Sequence, residues 1–417
     1  MSPPFSKTNT TFFHRKKQFI LWFLLVATLM TISLHSQSEY FKNIHYHHLL
    51  PASTTTIAPA ESHPWTQTEI IQPHTKHKKV LVTGGAGFIG SHVVEYLLNR
   101  GDDVIIIDEM NHSYNVHLKQ FNLNILQKYK HRVTFYKGDI CDEEFITKVF
   151  EETKPQWVCH MAARAGVRPS IQDPYAYIHS NIEGTTRLLE LSVQYKVVNF
   201  VFASSSSVYG NSNSTLLSES DRTDYPMSPY AASKKSCELL SYTYHSLYGL
   251  NVTALRLFTV YGTRGRPDMA PFLFIDNIAK NLPISQYGDG VTTFRDYTYI
   301  SDIVDGIVRA LDRPYPYQIL NLGKGSSTSL HDFISLVGRT VGRNVTIQYM
   351  EKQLGDVPYT CADVRKARYL LGYHPNVSIE EGVAKTVEWY KDVYLEELDD
   401  DFRNAGGEDR TDHGVLF

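Results

Sequence analysis

Tyr230 and Lys234, two side chains that together suit proton abstraction, lie four residues apart in a segment typical of a helix. Four residues make about one helical turn, so the phenol and the ammonium project from the same face. A free tyrosine has a pKa of about 10, and a nearby cation lowers this pKa by stabilising the phenolate. The pair predicts that Tyr230 acts as a base toward an alcohol near neutral pH. Such a pair also arises by chance, so the prediction depends on the surrounding segments.

A glycine-rich segment upstream, containing Gly84, Gly87 and Gly90, follows a short apolar run and precedes apolar residues at helical spacing. A strand, a glycine turn and a helix in this order hold the pyrophosphate of a dinucleotide at the helix N-terminus. The next apolar run ends in Asp108, 18 residues after Gly90, where a carboxylate accepts hydrogen bonds from an adenosine ribose. Because a carboxylate there repels a 2′-phosphate, the sequence predicts NAD rather than NADP.

The elements that must position these residues alternate between strands and helices from residue 79 onward. This alternation predicts an α/β protein, with a Rossmann-type doubly wound parallel sheet over residues 79–260 and a smaller C-terminal substrate-binding α/β region over residues 261–395. Polar segments follow the strands, so we expect them to meet in one crevice at the carboxyl edge of the sheet. The candidate strands are Val80–Thr83, Val104–Ile107, Val133–Lys137, Trp157–Met161, Phe200–Ala203 and Val252–Leu257.

The N-terminal part of the chain has a different composition. A basic cluster ends at Lys17, and Phe19 to Leu34 carry no charge, which is slightly short of the ~20 residues that span a bilayer. This pattern predicts a cytoplasmic N-terminus over residues 1–18 and a single transmembrane signal anchor over 19–35, with a cleaved signal peptide as the alternative. A flexible stem is predicted over residues 36–78 and a disordered acidic tail over 396–417.

Overall charge and cysteine content exclude some classes of protein. The 41 Lys and Arg residues nearly balance the 44 Asp and Glu residues, so no basic field for nucleic acid is predicted. The four cysteines are far apart and lack metal-ligand spacing, so we expect buried thiols and no metal site. They are Cys141, Cys159, Cys237 and Cys361.

Several ordered segments between about residues 79 and 394 resemble the extended short-chain dehydrogenase/reductase family, and within it the UDP-glucuronate 4-epimerases. They are the glycine motif, His160 to Arg168, Ser180 to Thr185, Ser205 to Gly210, Tyr230 to Lys234, Arg256 to Gly262, Arg264 to Ala270, Phe294 to Tyr297 and Gly355 to Pro358. The resemblance implies a C4 epimerase that interconverts UDP-glucuronate and UDP-galacturonate through a 4-keto intermediate with tightly bound NAD. One departure is Thr263, which replaces a usual proline and is expected to loosen its loop.

The resemblance also implies roles for individual residues. Ser205, Tyr230 and Lys234 form the catalytic set. The residues implied to hold NAD are Gly84, Gly87, Phe88, Ile89, Gly90, Asp108, Asp139, Ile140, Ala162, Ala163, Asn181, Tyr230 and Lys234. The residues implied to hold the UDP-uronic acid are Ser206, Ser207, Thr259, Arg266, Arg295 and Asp356.

The segment Ser206-Ser207 separates the epimerase prediction from its relatives. Related dehydratases and UDP-glucuronate decarboxylases carry an acid before Val-Tyr-Gly, whereas this chain has two serines. Arg266 favours an anionic sugar over a neutral one. A decarboxylase, a neutral UDP-sugar 4-epimerase and a non-catalytic membrane-tethered NAD-binding scaffold remain alternatives. The resemblance further suggests a homodimer and a single-pass type II protein of the Golgi membrane, with the catalytic face lumenal or cytosolic.

Overall fold

The computed structural model describes residues 63–353 and 355–398. The predicted N-terminal segment 1–18, the anchor 19–35, most of the predicted stem and nearly all of the predicted tail lie outside them. Within the described residues, the strands are β1 (Lys79–Thr83), β2 (Asp103–Asp108), β3 (Val133–Lys137), β4 (Trp157–His160), β5 (Asn199–Ser205), β6 (Val252–Leu257), β7 (Thr259–Tyr261), β8 (Ile284–Tyr287), β9 (Phe294–Arg295), β10 (Tyr297–Tyr299), β11 (Tyr317–Leu322), β12 (Thr328–Ser329) and β13 (Ile347–Met350).

Helices connect most of these strands. Short 3₁₀ or π segments add turns at 64–67, 127–129, 178–183, 206–209 and 390–398. The α-helices are α1 (Phe88–Arg100), α2 (Val116–Leu126), α3 (Glu143–Thr153), α4 (Val167–Gln172), α5 (Pro174–Tyr177), α6 (Gly184–Gln194), α7 (Pro229–Tyr248), α8 (Ala270–Ala279), α9 (Ile300–Leu311), α10 (Leu330–Val341), α11 (Arg365–Leu371) and α12 (Ile379–Trp389).

Seven of the strands form one parallel sheet in the order β3-β2-β1-β4-β5-β6-β11. The chain moves outward from β1 in one direction and then returns to β4 to move outward in the other. The crossovers therefore diverge between β1 and β4, which opens a crevice beyond the carboxyl ends of these two strands. Thr83 and His160 are paired in register there, and both are buried beneath the crevice.

Apolar side chains alternate along the strands and supply a core on each face of the sheet. Val80 and Val82 of β1 pack with α1 and α9 on one face, whereas Leu81 packs with α3 and α6 on the other. Because both faces of the sheet are covered, nearly every residue of these strands is apolar, rather than every second residue. The predicted Rossmann-like α/β architecture with a smaller C-terminal region is confirmed.

The edge strand β11 comes from the range that the sequence assigned to substrate binding. It pairs in parallel with β6 over six residues, and α9, from the same range, packs on the sheet beside α1. The sequence predicted the other six strands but not this one. Residues 261–395 therefore complete the dinucleotide-binding layer as well as forming the smaller region.

Residues 63–78 are packed against the folded unit, in contrast to the flexible stem predicted through residue 78. The Tyr369 hydroxyl donates to the carbonyl of Thr66 at 2.9 Å, and the Trp65 and Tyr369 rings lie 5.5 Å apart. The ammonium of Lys78 is 3.1 Å from Asp312, and the Lys78 side chain is only 2% exposed. Aromatic contact and a buried ion pair fix this segment, and neither partner is near it in sequence.

The smaller region contains three two-stranded sheets, β7 with β10, β9 with β12 and β8 with β13. β7 follows directly on the carboxyl end of β6, which places the first of these small sheets at that edge of the large sheet. The four cysteines, which all lie in the described residues, are buried and free, as predicted. Across the described residues, every helix is too short or too polar to cross a membrane.

Candidate active site

The glycine turn after β1 brings the backbone close to the crevice. Gly84 has a φ of 67°, and its N–H donates to the carbonyl of Ile107 at 2.7 Å. Gly87 is the N-cap of α1. A Cβ on Gly90 would overlap the carbonyl oxygen of Gly84 and lie 2.8 Å from its carbonyl carbon. Turn and helix are thus in backbone contact, and the free N–H groups at the start of α1 suit a pyrophosphate.

The carboxylate of Asp108 is fixed at the end of β2. Its two oxygens accept hydrogen bonds from the backbone N–H groups of Ala86, at 3.2 Å, and Met110, at 2.9 Å. The side chain is 8% exposed, so the carboxylate faces the crevice with its position set by backbone donors. These residues fit an adenosine ribose without a 2′-phosphate, since negative charge is already concentrated there.

A buried polar chain joins the ends of β1 and β4 beneath the crevice. Nδ1 of His160 lies 2.6 Å from Oγ1 of Thr83, and Nε2 lies 2.9 Å from Oγ1 of Thr185. The N–H of Ala162 donates to Thr83 at 3.2 Å. Burial, together with the charge of Lys234, lowers the pKa of His160 to about 3, so this imidazole is neutral at physiological pH. His160 supports Ala162 at the cavity wall, a role that its motif alone did not predict.

Tyr230 and Lys234 lie on the first turns of α7, facing the end of β5. Ser228 caps this helix by accepting from the N–H of Ala231 at 3.1 Å, and the ammonium of Lys234 donates to the carbonyl of Ala203 at 2.8 Å. Ser205, the last residue of β5, hydrogen-bonds Tyr230. The structure brings together the three residues predicted to be catalytic.

Burial raises the pKa of Tyr230, and the hydrogen bond with Ser205 and the charge of Arg266 offset only part of this shift. This direction is opposite to the one expected from the Tyr/Lys spacing. The reason is that Lys234 is buried, which lowers its own pKa, and its ammonium is directed to a backbone carbonyl. Tyr230 is therefore a protonated phenol at neutral pH until another positive charge acts on it.

Glu238 continues the same face of α7, one turn beyond Lys234. It accepts from Ser204 at 2.7 Å and from Arg256 at 2.8 and 2.9 Å, and all of these groups are buried. Tyr230, Lys234 and Glu238 are spaced four residues apart on α7. They contact three adjacent residues of β5, namely Ser205, Ala203 and Ser204 respectively. The four-residue spacing from Tyr230 extends to Glu238 in the sequence, although Glu238 is not among the predicted site residues.

The predicted uronate contacts line the same cavity, close to Ser205 and Tyr230. Ser206 and Ser207 begin a 3₁₀ turn, and the N–H of Ser207 donates to Ser205 at 3.1 Å. Arg266 is held by a bidentate pair with Asp268, at 3.0 and 2.6 Å, and its guanidinium lies 5.4 Å from the Tyr114 ring centroid. Asp268 and Tyr114 were not predicted, because nothing in their local sequence marks them.

The predicted nucleotide contacts, Arg295 and Asp356, lie farther out. Arg295 donates to the carbonyl of Phe294 at 2.9 Å. Asp356 is ion-paired at 2.7 Å with Arg168, whose guanidinium lies 4.3 Å from the ring centroid of Tyr287. A cation, a carboxylate and an aromatic ring in one recess suit the diphosphate, ribose and base of a nucleotide.

Asn181 is the one predicted site residue that does not line the cavity. Its side-chain oxygen accepts from the N–H of Arg164 at 2.8 Å, while its amide nitrogen donates to the Arg164 carbonyl and to Ser233. The Asn181 side chain therefore holds the loop after β4 against α7. It supports the wall of the site rather than forming it.

Asp139, predicted to lie near the adenine, is at the cavity rim beside an exposed histidine. Its carboxylate accepts from the N–H of Cys141 and lies 2.9 Å from Nε2 of His179. Asp139, Cys141 and His179 bring potential ligand atoms within 4.8 Å of one another. Hydrogen bonds and an ion pair already account for this cluster.

One cavity of about 910 Å³ joins these walls. It runs from the glycine turn past Tyr230 to the smaller region. The predicted site residues that line it are Gly84, Gly87, Phe88, Ile89, Gly90, Asp108, Asp139, Ile140, Ala162, Ala163, Ser205, Ser206, Ser207, Tyr230, Lys234, Thr259, Arg266, Arg295 and Asp356.

Comparison with known proteins agrees with this fold and site. The family model described as GDP-mannose 4,6 dehydratase matches residues 81–386. The chain belongs to the NAD-dependent epimerase/dehydratase family, within the extended short-chain dehydrogenases/reductases. The predicted family is therefore confirmed.

Individual relatives give a more specific comparison than the family model. The chain is 46% identical over 313 residues to a UDP-glucuronate 4-epimerase of Thermodesulfobacterium geofontis, covering 75% of this chain and 96% of the relative. It is 40% identical to UDP-glucuronate 4-epimerase 1 of Arabidopsis thaliana, covering 76% and 77%. The crystal structure of a UDP-glucuronic acid 4-epimerase from Bacillus cereus, in complex with UDP-glucuronic acid and NAD, superposes with a TM-score of 0.72 at 36% identity, covering 76% and 100%.

Proposed function

We propose that this protein is an NAD-dependent UDP-glucuronate 4-epimerase. The observation that carries the proposal is the meeting of Ser205, Tyr230 and Lys234 in a cavity with a dinucleotide turn at one end and Arg266 near Tyr230. Relatives that carry this activity by name cover three quarters of the chain. The glycine turn and Asp108 would hold NAD, and the serine turn with Arg266 would hold the uronic acid.

Tyr230 moves the proton in the proposed reaction. As the phenolate, which a further positive charge in the occupied site would favour, it accepts the proton of the C4 hydroxyl as C4 becomes a ketone, and it returns a proton to the same oxygen when the alcohol reforms. Ser205 hydrogen-bonds Tyr230 and is positioned to donate to that oxygen. When bound, NAD supplies the group that accepts a hydride from C4 and gives it back. Because the ketone presents its other face before the return, the configuration at C4 inverts and the cofactor is not consumed.

The carboxylate must be restrained during this process. A uronic acid oxidised at C4 is a β-keto acid, which loses carbon dioxide when the bond from C5 to the carboxylate aligns with the carbonyl π-system. Hydroxyls of Ser206, Ser207 and Thr259, with the guanidinium of Arg266, would fix the carboxylate through charge-assisted hydrogen bonds. The segment between Ser205 and Val208 contains no acid to assist elimination, which favours epimerisation over decarboxylation or dehydration.

The decisive experiment incubates the purified protein with UDP-glucuronate, without added NAD, and identifies the product by NMR. UDP-galacturonate is expected, and Tyr230→Phe should reduce its formation by about 10²–10⁴-fold, the range of a lost general base. Formation of UDP-xylose with carbon dioxide release would assign the protein to the decarboxylases. No conversion by the unmodified protein would favour a neutral-sugar epimerase or a scaffold.

The predicted N-terminal anchor motivates a further proposal, that the enzyme is a single-pass type II protein of the Golgi membrane. The basic cluster before residues 19–35 favours a cytoplasmic N-terminus. Asn213, Asn344 and Asn376 stand in glycosylation sequons, and the structure exposes all three. A lumenal catalytic unit is expected to carry glycan on them and to resist protease added to sealed vesicles. Proteolysis of the unit in intact vesicles, without glycan, would assign it to the cytosolic side.

We also propose a homodimer, with α7 at the interface. Apolar side chains on the outer part of α7 are strongly exposed, at 59% for Leu239, 54% for Tyr242 and 66% for Leu247. A group of exposed apolar side chains on one helix is typical of an interaction surface. Sedimentation velocity should give a dimer for the soluble unit and a monomer for Leu239→Glu. A monomeric unmodified protein would contradict the proposal.

A further inference from the structure

The loop that carries Arg266 is fastened to the dinucleotide-binding helix α1. Oγ1 of Thr263 lies 3.2 Å from Nε2 of His92, and Nε of Arg264 lies 3.2 Å from the same nitrogen. Nη2 of Arg264 also donates to Glu95 at 2.8 Å. Thr263 was expected to loosen this loop, and the structure gives its hydroxyl a partner on α1 that a proline could not contact.

Arg264 is held in an uncommon backbone conformation. Its φ is 59°, a value that non-glycine residues adopt rarely and that persists when the surrounding contacts fix it. Its side chain is 6% exposed, and the side chain of its partner Glu95 is 25% exposed. A nearly buried guanidinium with a carboxylate partner makes a more directional contact than a surface ion pair, and loss of the carboxylate leaves a buried charge uncompensated. Two residues later, the chain reaches Arg266.

His92 serves as a neutral acceptor in this contact. Its Nδ1 donates to the carbonyl of Phe88 at 2.9 Å, so Nε2 carries the lone pair that faces Arg264. Burial, aided by the positive charge of Arg264, lowers the pKa of His92 to about 3, which keeps the ring neutral at physiological pH. Phe88 lines the cavity at the start of α1, so His92 is one helical turn from the cofactor wall.

We propose that Arg264, held by His92 and Glu95, is a positioning residue that sets where Arg266 meets the substrate carboxylate. The inference rests on the proposed function and names the specificity device of that site. Arg264 does not touch the cavity itself. It determines the path of the backbone between Gly262 and Arg266, and it ties that path to the helix whose N-terminus faces NAD. The groups that bind the substrate's anionic end and the cofactor's pyrophosphate are thereby positioned by the same helix, α1.

The consequence of loosening this fastening is chemical as well as thermodynamic. If Arg266 holds the carboxylate less firmly, the 4-keto sugar can rotate so that the C5–C6 bond aligns with the carbonyl. That bond then breaks, its electron pair forms an enolate at C4 and C5, carbon dioxide leaves, and C5 takes up a proton. The product is a 4-keto pentose nucleotide, and the hydride taken from C4 remains on the cofactor as NADH.

The test compares Glu95→Gln with Lys128→Met. Lys128 is 57% exposed and lies 3.5 Å from the other oxygen of Glu95, so its removal takes away a Glu95 partner without affecting the loop. Calorimetry gives the dissociation constants of UDP-glucuronate and of UDP-glucose, which lacks the carboxylate. Glu95→Gln should weaken UDP-glucuronate by about tenfold and UDP-glucose by less than about twofold, as for a charge-assisted contact. It should also raise the fraction of turnovers that release carbon dioxide, and Lys128→Met should change neither quantity.

A purely structural role would weaken both ligands alike, and an equal loss or no loss would overturn the proposal. Thr263→Val removes one hydroxyl while the ion pair stays, so it keeps the test available should Glu95→Gln unfold. A smaller shift in the same ratio, about two- to threefold, is expected for it. Unmodified protein that makes no UDP-galacturonate would reject the proposed function instead, and unchanged variants of an active enzyme would reject only the role of Arg264.

Discussion

The two ends of the cavity are built in different ways. At the cofactor end, backbone groups define the site. The backbone of Gly90 packs directly against the carbonyl group of Gly84, and the N–H groups of Ala86 and Met110 hold the carboxylate of Asp108. At the substrate end, charged side chains define it, and acids of the protein already pair with two of them. Arg266 is 2.6 Å from Asp268, and Arg168 is 2.7 Å from Asp356.

This difference separates a preformed site from one that exchanges partners. The cofactor end needs no rearrangement to accept a pyrophosphate, so its affinity is not reduced by the cost of breaking internal contacts. At the substrate end, the uronate carboxylate must compete with Asp268 for Arg266. The affinity for the sugar nucleotide is therefore a difference between two ion pairs, which makes the substrate end easier to tune by single substitutions.

The largest effect is expected from a methyl group placed in the cofactor turn. Gly90→Ala would drive a Cβ into the Gly84 carbonyl, and its nearest contacts are backbone atoms that cannot move aside as a side chain would. We expect a loss of more than about 3 kcal/mol, or over 100-fold, in NAD affinity, at the upper end of overpacking costs. NAD content after purification, measured by absorbance after protein precipitation, reports the loss.

Gly249→Ala is the matched control for that substitution. Gly249 caps α7 with a φ of 70°, and nothing lies within 4 Å of an added Cβ. Backbone strain should lower its free energy of unfolding by about 1 kcal/mol and leave the NAD content unchanged. If both variants lost NAD equally, general destabilisation would explain the result, and the close turn at Gly90 would have no special role.

Acid should lower the free energy of unfolding through His160, which is buried beneath the cofactor end. Its pKa is about 3 in the folded protein against 6.5 when unperturbed, so the unfolded chain takes up this proton first as the pH falls. The stability that a neutral His160 provides is present above pH 6.5 and is lost progressively down to about pH 3. Each such proton changes the free energy of unfolding by about 1.4 kcal/mol per pH unit.

Urea unfolding at a series of pH values between 7.5 and 5 tests this expectation. The free energy of unfolding of the unmodified protein should fall with decreasing pH, and His92, with its low pKa, adds to the same slope. His160→Gln keeps a side chain able to bond Thr83 and Thr185 but cannot be protonated. Its slope should be smaller by about one proton. Identical slopes in the two proteins would show that His160 is not the group that titrates.

The same contrast explains what the sequence could and could not predict. Strands β1 to β6 and the turn at Gly84 were predictable, because local apolar runs and glycine spacing determine them. The strand Tyr317–Leu322 was not, since its place at the sheet edge depends on pairing with β6. The pair of Arg168 and Asp356 joins residues 188 positions apart, and no local pattern links them. Asn181 was assigned to the cavity by its motif, but tertiary hydrogen bonds direct it elsewhere.

Arg295→Met should produce the next largest effect, confined to the substrate end. Arg295 is a partly buried cation near Asp356, and burial lowers its pKa without discharging it. Losing a charge-assisted contact to a phosphate should weaken UDP and UDP-glucuronate alike by about 10- to 100-fold. Calorimetry measures both ligands, and the NAD content is the control that should not change. A weaker UDP-glucuronate with unchanged UDP would move Arg295 from the diphosphate to the sugar.

Asp268→Asn should produce the smallest change in affinity for UDP-glucuronate, and whether the affinity rises or falls is the informative result. Arg266 and Asp268 are 17% and 25% exposed, so solvent reaches the pair and screens part of its attraction, and we expect it to be worth about 1 kcal/mol, the upper end for exposed pairs. If Asp268 only competes with the substrate, its neutralisation should tighten UDP-glucuronate by about two- to fivefold and leave UDP-glucose unchanged. If Asp268 instead aims the guanidinium, the same change should weaken UDP-glucuronate. Calorimetry on the two ligands distinguishes these cases, because a competitor and an orienting partner predict opposite signs for one substitution.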